Sequence, residues 1–160
     1  MTPAIRVLDQ AGIPYQLHTY QHDAACTDFG LEAAQKLSVE PARMFKTLVV
    51  RNDTGSLALA LVSVQDRIDL KKLADALGSK KADLADPTVA EKTTGYVVGG
   101  ISALGCRKTL PVLLDVGITA WPTVFISAGK RGLQLELAPT DLIKLTQSTP
   151  VPLAVSGGRQ

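Results

Sequence analysis

The sequence predicts an α+β fold, a single domain in which one strongly curved mixed β-sheet, open-barrel-like, is flanked by helices. Three observations predict it. Strand-like and helix-like stretches follow one another along all 160 residues, with Pro or Gly at most of the changeovers. No internal repeat and no linker divides them, so the domain is read over residues 1–148, followed by a flexible tail over 149–160. The composition, 46% hydrophobic and 20% charged, suits a soluble domain with a substantial core. Only 4% is aromatic, so aliphatic side chains must fill that core, and no row of rings is available to stack bases.

The elements follow in order. Thr2-Pro3 reads as N-cap and first helical residue, with Ile5, Leu8 and Ala11 on the apolar face and Gly12 as the stop. Residues 15–20 alternate as a strand, with Tyr15, Leu17 and Thr19 on one face and Gln16, His18 and Tyr20 on the other. Thr27 or Asp28 caps a helix to about Leu37 that buries Leu31, Ala34 and Leu37. Residues 45–51 and 57–64 form a hairpin around Asn52-Asp53-Thr54-Gly55. Asp69 caps a helix with Leu70, Leu73, Ala74 and Leu77 on one face; a short extended link at 80–84 follows. Asp86-Pro87 opens another helix. Strands are read at 111–115, 123–127 and 133–137, and a last helix from Thr140 or Asp141. In the strand 133–137 the leucines face inward and Gln134 and Glu136 face the other way.

Charge and cysteine usage narrow the function. Net charge is only +2, but eight of the 17 Lys and Arg residues fall in adjacent pairs, Lys71-Lys72, Lys80-Lys81, Arg107-Lys108 and Lys130-Arg131. Gathered around one mouth they would attract a phosphate backbone; scattered, they are solvated charge. No apolar run is long enough to span a bilayer, and the N-terminus does not read as a signal peptide, so a cytoplasmic location is expected. Cys26 and Cys106 form no C-x-x-C and are expected as free thiols. The cations beside Cys106 could lower its pKa, yet no His stands near in sequence to act as base. His18 and His22 have i, i+4 spacing, but on an extended segment they need not converge, and neither a metal nor a cofactor is expected.

Two features carry chemistry. Tyr96 to Val98 is a strand-like run entering a loop with Gly99, Gly100 and Gly105; without a Cβ, such backbone lets N–H groups approach a carbonyl oxygen or an oxyanion, although an ordinary turn is the simpler reading. Lys46 shares a strand face with Leu48 and Val50. It is either a lysine that snorkels to water or one that ends an apolar pocket and holds an anionic or carbonyl group.

Taken together, Thr2-Pro3-Ala4, His18-Thr19-Tyr20-x-His22-Asp23, Phe45-Lys46-Thr47-Leu48, Leu70-Lys71-Lys72, Ala85-Asp86-Pro87, Thr94 to Ser102 and Ser127 to Leu133 resemble the YbaK-type aminoacyl-tRNA deacylases, relatives of the editing domain inserted in bacterial prolyl-tRNA synthetases. The branch resembled is the Cys-tRNA(Pro) deacylases. The resemblance implies that fold, and a trans-editing hydrolase of mischarged tRNA. It puts Lys46, Gly99, Gly100, Ile101 and Ser102 at the reacting ester, and Tyr20, Phe29, Ser127 and Gly129 in the substrate pocket. The four basic pairs become contacts to tRNA phosphates, and tRNA(Pro) and prolyl-tRNA synthetase the implied partners. In that branch the substrate's own thiol is thought to attack the ester. Two departures bear on amino-acid preference: Ala103 stands where the family loop ends in proline, and Gln134 where many relatives carry aspartate. An Ala-tRNA(Pro) or broader deacylase, and a non-catalytic tRNA- or synthetase-binding module, are the alternatives.

Overall fold

The longest hairpin organises the molecule. A computed structural model describes residues 1–156, and in it β2 (Phe45–Asn52) pairs antiparallel with β3 (Leu57–Ser63) over seven residue pairs, from Phe45–Ser63 to Arg51–Leu57. The turn closes because the Asn52 side chain accepts from the Thr54 and Ser56 N–H groups at 3.0 and 2.9 Å. β4 (Ala82–Leu84) flanks β2, and β5 (Val112–Leu114) runs parallel to β3, giving the order β4-β2-β3-β5. A second sheet, ordered β1-β7-β6, joins β1 (Gln16–Thr19), β7 (Leu133–Leu137) and β6 (Val124–Lys130). The fold class is the one read from the sequence. The curved sheet is divided in two, and among the described residues the halves meet at a parallel bridge between Met44 and Phe125.

Helices cover the sheets through narrow faces. α1 (Pro3–Ala11) is capped by Thr2, whose hydroxyl accepts from Ile5 N–H and donates to the Ala128 carbonyl; it buries Ala4, Ile5 and Leu8 against Leu61, Ile126 and Leu135. α3 (Leu70–Ala76) is capped by the Asp69 carboxylate and packs Leu73 on Val50, Val62 and Leu153. α5 (Pro139–Thr146) buries Leu142 in the same apolar cluster as α1.

Several local expectations change. Tyr96 to Val98 is not a strand; α4 (Pro87–Thr94) ends at Gly95 and the chain passes straight into a loop. The inward faces differ as well: Leu31 in α2 (Phe29–Lys36) and Leu70 are exposed, while Glu32, Ala33 and Ala34 are buried. For residues 16–20, where the alternation left the inward face open, His18 in β1 and Tyr20 just beyond it are the half-buried ones, and Leu17 is exposed. The segment from 149, read as a flexible tail, packs as far as Val155. Leu153 is fully buried, the Asp115 carboxylate accepts from the Leu153 and Ala154 N–H groups at 2.8 and 3.1 Å, and Val155 N–H donates to Arg67. The remainder of that expected tail, 157–160, lies outside the described residues.

Candidate functional site

A cavity of ≈ 340 Å³ opens where β2 loses its neighbour. Ala85 N–H still donates to Val49 C=O at 2.8 Å, continuing the β4 ladder by one step. Two residues further on the chain presents Pro87, which has no N–H to give, so the ladder stops and the edge of β2 at Thr47 is left open. The cavity occupies that gap, between Leu84–Pro87 on one side and Phe29, Gly99, Ile101, Ser127 and Gln134 on the other.

Lys46 lines it. Burial holds the Lys46 ammonium below its ordinary value, and the carboxylates of Asp28 and Asp66 offset only part of that lowering. Asp28 also lines the cavity and extends to a smaller neighbouring one with Cys26 and Glu32. Across from Lys46, Gly99 has φ +91°, and a Cβ there would lie 2.7 Å from the Phe29 ring. Only glycine combines that backbone angle with that contact. Gly100 is held against the Lys130 backbone, where a Cβ would meet Cα at 2.7 Å. Its carbonyl accepts from the Ser127 hydroxyl at 2.9 Å, and Ser127 in turn accepts from Gly129 N–H at 3.2 Å. Among the described residues, no backbone acceptor is paired with the N–H of Gly99 or Ile101.

Phe29 forms the wall between these groups. The Arg131 guanidinium lies 4.7 Å over its ring, with Nε donating to the Val98 carbonyl at 2.9 Å. On another side stands the His22 ring, at 5.6 Å. His22 Nδ1 is 2.7 Å from Glu32, whose carboxylate also receives Asp23 N–H and the Lys36 ammonium. Burial alone would raise the Glu32 pKa, but those hydrogen bonds overcome it and hold the carboxyl at about 2.

The expected residues thus divide. Lys46, Phe29, Gly99, Ile101 and Ser127 line one cavity, with Gly100 and Gly129 bound to Ser127 behind it. Ser102 is fully buried, its hydroxyl accepting from Leu104 N–H, and it does not line the cavity. Tyr20 is half-buried beside the Gln134 carboxamide. Of the basic pairs, Lys130-Arg131 adjoins the glycine loop at Gly100, and Arg107-Lys108 is tied through its N–H groups to Thr94 and Thr93 at the end of α4. Lys80-Lys81 precedes β4, whose Leu84 borders the cavity. Lys71-Lys72 stands on α3, with Lys72 Nζ donating to the Ala154 carbonyl and Ser156. Cys106 is not an activated thiol: burial pushes it up to about 11, against the lowering that its cationic neighbours would have caused. His18 and His22 diverge to separate carboxylates, Glu136 and Glu32.

Sequence reasoning passed over Thr47, whose hydroxyl is buried in the cavity wall without a partner, and gave Asp28 only a capping role. The one available signal was Pro87, which marks where the ladder beside Thr47 must end.

Three comparisons bear on what such a site belongs to. Residues 27–145 match the family described as the aminoacyl-tRNA editing domain. A protein of Enterococcus faecalis named "Putative Cys-tRNA(Pro)/Cys-tRNA(Cys) deacylase EbsC" is 39% identical over 149 residues, 91% of this chain and 88% of the relative. The Escherichia coli "Multifunctional Ser/Thr-tRNA deacylase ProXp-y" is 23% identical over 89% of this chain and 86% of its own. A solved structure titled "Crystal structure of a putative trans-editing enzyme for prolyl tRNA synthetase" superposes with TM-score 0.83 at 27% identity, covering 98% of this chain and 99% of the other.

Proposed function

The chain belongs to the aminoacyl-tRNA editing domain family and is a deacylase of mischarged tRNA, and from that premise we propose that Cys-tRNA(Pro) is its principal substrate. One observation supports the assignment of the site: Lys46 from β2 lines the same cavity as Gly99 and Ile101, whose N–H groups have no backbone acceptor among the described residues.

The chemistry asks for little more. In the proposed reaction the ester carbonyl lies against Lys46 and the glycine loop. The substrate thiol attacks the carbonyl carbon; the S–C bond forms, the C–O bond to the ribose breaks, and the thiol proton ends on the departing ribose oxygen. Lys46 and the loop N–H groups stabilise the oxyanion, and Phe29, pinned by Arg131, keeps the aminoacyl group in line. The loop needs no induced movement for this, because Ser127 fixes Gly100 before substrate arrives. Lys130, Arg131, Arg107 and Lys108, around the same loop, contact acceptor-stem phosphates and set orientation without reading sequence. Choice of tRNA(Pro) then falls to association with prolyl-tRNA synthetase.

The test is deacylation of Cys-, Ala-, Ser- and Pro-charged tRNA(Pro) by the wild type and by Lys46→Ala. Cysteine should be released fastest, and Lys46→Ala should lower kcat/KM by roughly 100-fold or more with folding intact. Rapid hydrolysis of the seryl ester would show that water, rather than the thiol, attacks. A Lys46→Ala protein as fast as wild type would remove the residue from the site. Binding of charged tRNA without any hydrolysis would make the chain a non-catalytic module.

A further inference from the structure

Phe29 is a wall of the cavity to which two other parts of the chain are fitted, and His22 comes to it from a third. Arg131 lies over the ring at 4.7 Å, and the Gly99 backbone packs so close that a Cβ there would be 2.7 Å away. The His22 ring stands 5.6 Å from it, inclined by 39°. Tilted ring pairs attract at that separation. Among the described residues His22 lines neither of the two cavities, so it does not reach an aminoacyl group bound there. What fixes it is the helix that carries Phe29. Its Nδ1 is 2.7 Å from Oε1 of Glu32, one turn beyond Phe29 in α2. That carboxyl, held at about 2, is ionised at neutral pH and only accepts, so Nδ1 carries the proton. The residues on either side of His22 are tied to α2 as well. Asp23 N–H donates to Glu32 at 2.7 Å, and the Lys36 ammonium donates to the Gln21 carbonyl at 2.6 Å.

We propose that His22 is a positioning residue for deacylation: clamped by Glu32, its ring holds Phe29 in the orientation that keeps the aminoacyl group in line with the glycine loop. The inference rests on the reading of this cavity as the deacylation site and adds to it a residue that never touches substrate. Imidazole suits the task because it does two things at once. Its N–H satisfies a buried carboxylate and its ring packs on Phe29; phenylalanine does only the second and asparagine only the first. With the His22 contact gone, Phe29 is free to turn about its side-chain bonds. An error of orientation at the reacting ester then lowers kcat more than it raises KM.

Separating the two tasks of His22 tests this. Thermal melts, and deacylation of the charged tRNA(Pro) that wild type turns over fastest, are measured for His22→Asn, His22→Phe, Phe29→Leu and the Phe29→Leu, His22→Asn double variant. His22→Asn keeps a donor for Glu32 but no ring; it should melt near wild type yet lose kcat by about 5- to 10-fold, with KM little changed. His22→Phe keeps the ring and leaves the carboxylate short of a donor; it should melt about 5 °C lower and restore kcat to within about twofold of wild type. Stability and turnover thus part company in the two variants, which a purely structural histidine does not produce. In the Phe29→Leu background, His22→Asn should cost no further turnover. Turnover that follows stability, with His22→Phe slow and His22→Asn fast, overturns the proposal, and so does an undiminished loss in the Phe29→Leu background. Phe29→Leu as fast as wild type overturns the placement of Phe29 in the site, and the proposal with it.

Discussion

Glu32 ties the segment before α2 to the helix that carries Phe29. Its carboxylate, almost wholly buried, collects His22, Asp23 N–H and Lys36 at 2.7, 2.7 and 2.9 Å. These bonds outweigh the burial that would raise its pKa and bring it from 4.5 to about 2. A carboxyl whose folded pKa lies below its unfolded one adds stability that is complete above the unfolded value and is lost as the proton returns. The contribution should therefore hold above about pH 4.5 and disappear as pH falls toward 2. Glu32→Gln should cost roughly 2 kcal/mol at neutral pH, and denaturant melts of the two proteins should converge only as pH approaches about 2. A constant gap down to pH 2 would mean that packing, not charge, is what Glu32 supplies. Lys46 was legible as a residue because a charged side chain on an apolar strand face is anomalous in any sequence. Glu32 was not, since helical periodicity treats a glutamate as solvent-facing and cannot see the loop that folds back over it.

The decisive element is the loop that follows α4. Gly99 has φ +91° with the Phe29 ring 2.7 Å from any Cβ, so Gly99→Ala meets backbone strain and a clash at once. The flexible partner is the ring, and displacing it disturbs the cavity wall and the Arg131 contact together. We expect kcat/KM to fall by about 100-fold, with a loss of stability of only about 1–3 kcal/mol. Activity close to wild type would show that the Phe29–Gly99 contact is not part of the site. Element existence was largely legible: β7 covers 133–137 as read, and both hairpin strands and the Asp69 and Asp86-Pro87 helix starts lie where their caps and turns put them. Faces were less so. Leu31 and Leu70 fit an inward stripe by spacing alone, but short helices of 8 and 7 residues present only one or two turns to the sheet, and which turn docks is decided by tertiary contact. Tyr96 to Val98 read as a strand from its β-branched residues, yet it has no strand to pair with, because Glu91 in α4 takes the Val98 N–H at 2.7 Å.

At the scale of the molecule, the cavity lies beside the edge of β2, between the end of the β4 ladder and the Met44–Phe125 bridge, so whatever fixes the strands of the β2 sheet fixes the site indirectly. On the far side of the hairpin that task falls to the segment after α5. Asp115, itself buried, accepts from Gly117, Leu153 and Ala154 N–H groups, while Leu153 fills the cluster formed by Val50, Val62 and Leu73. Pro, Ser and Gly content made 149–160 look like a tail, since composition measures what a segment could bury on its own and says nothing of a carboxylate waiting for its N–H groups. If the folding unit runs to Val155, a chain ending at 148 should lose the whole clamp. Leu153→Ala should cost about 3 kcal/mol, a fall in Tm of roughly 10 °C for a chain of this size, and the truncation should cost more. β2 carries Val50 in that cluster and Lys46 at the cavity, so thermal destabilisation and loss of deacylation should appear together in the truncated chain and be milder in Leu153→Ala. A chain ending at 148 that melts with the full-length protein would return the domain boundary to 148 and leave the clamp without a structural task.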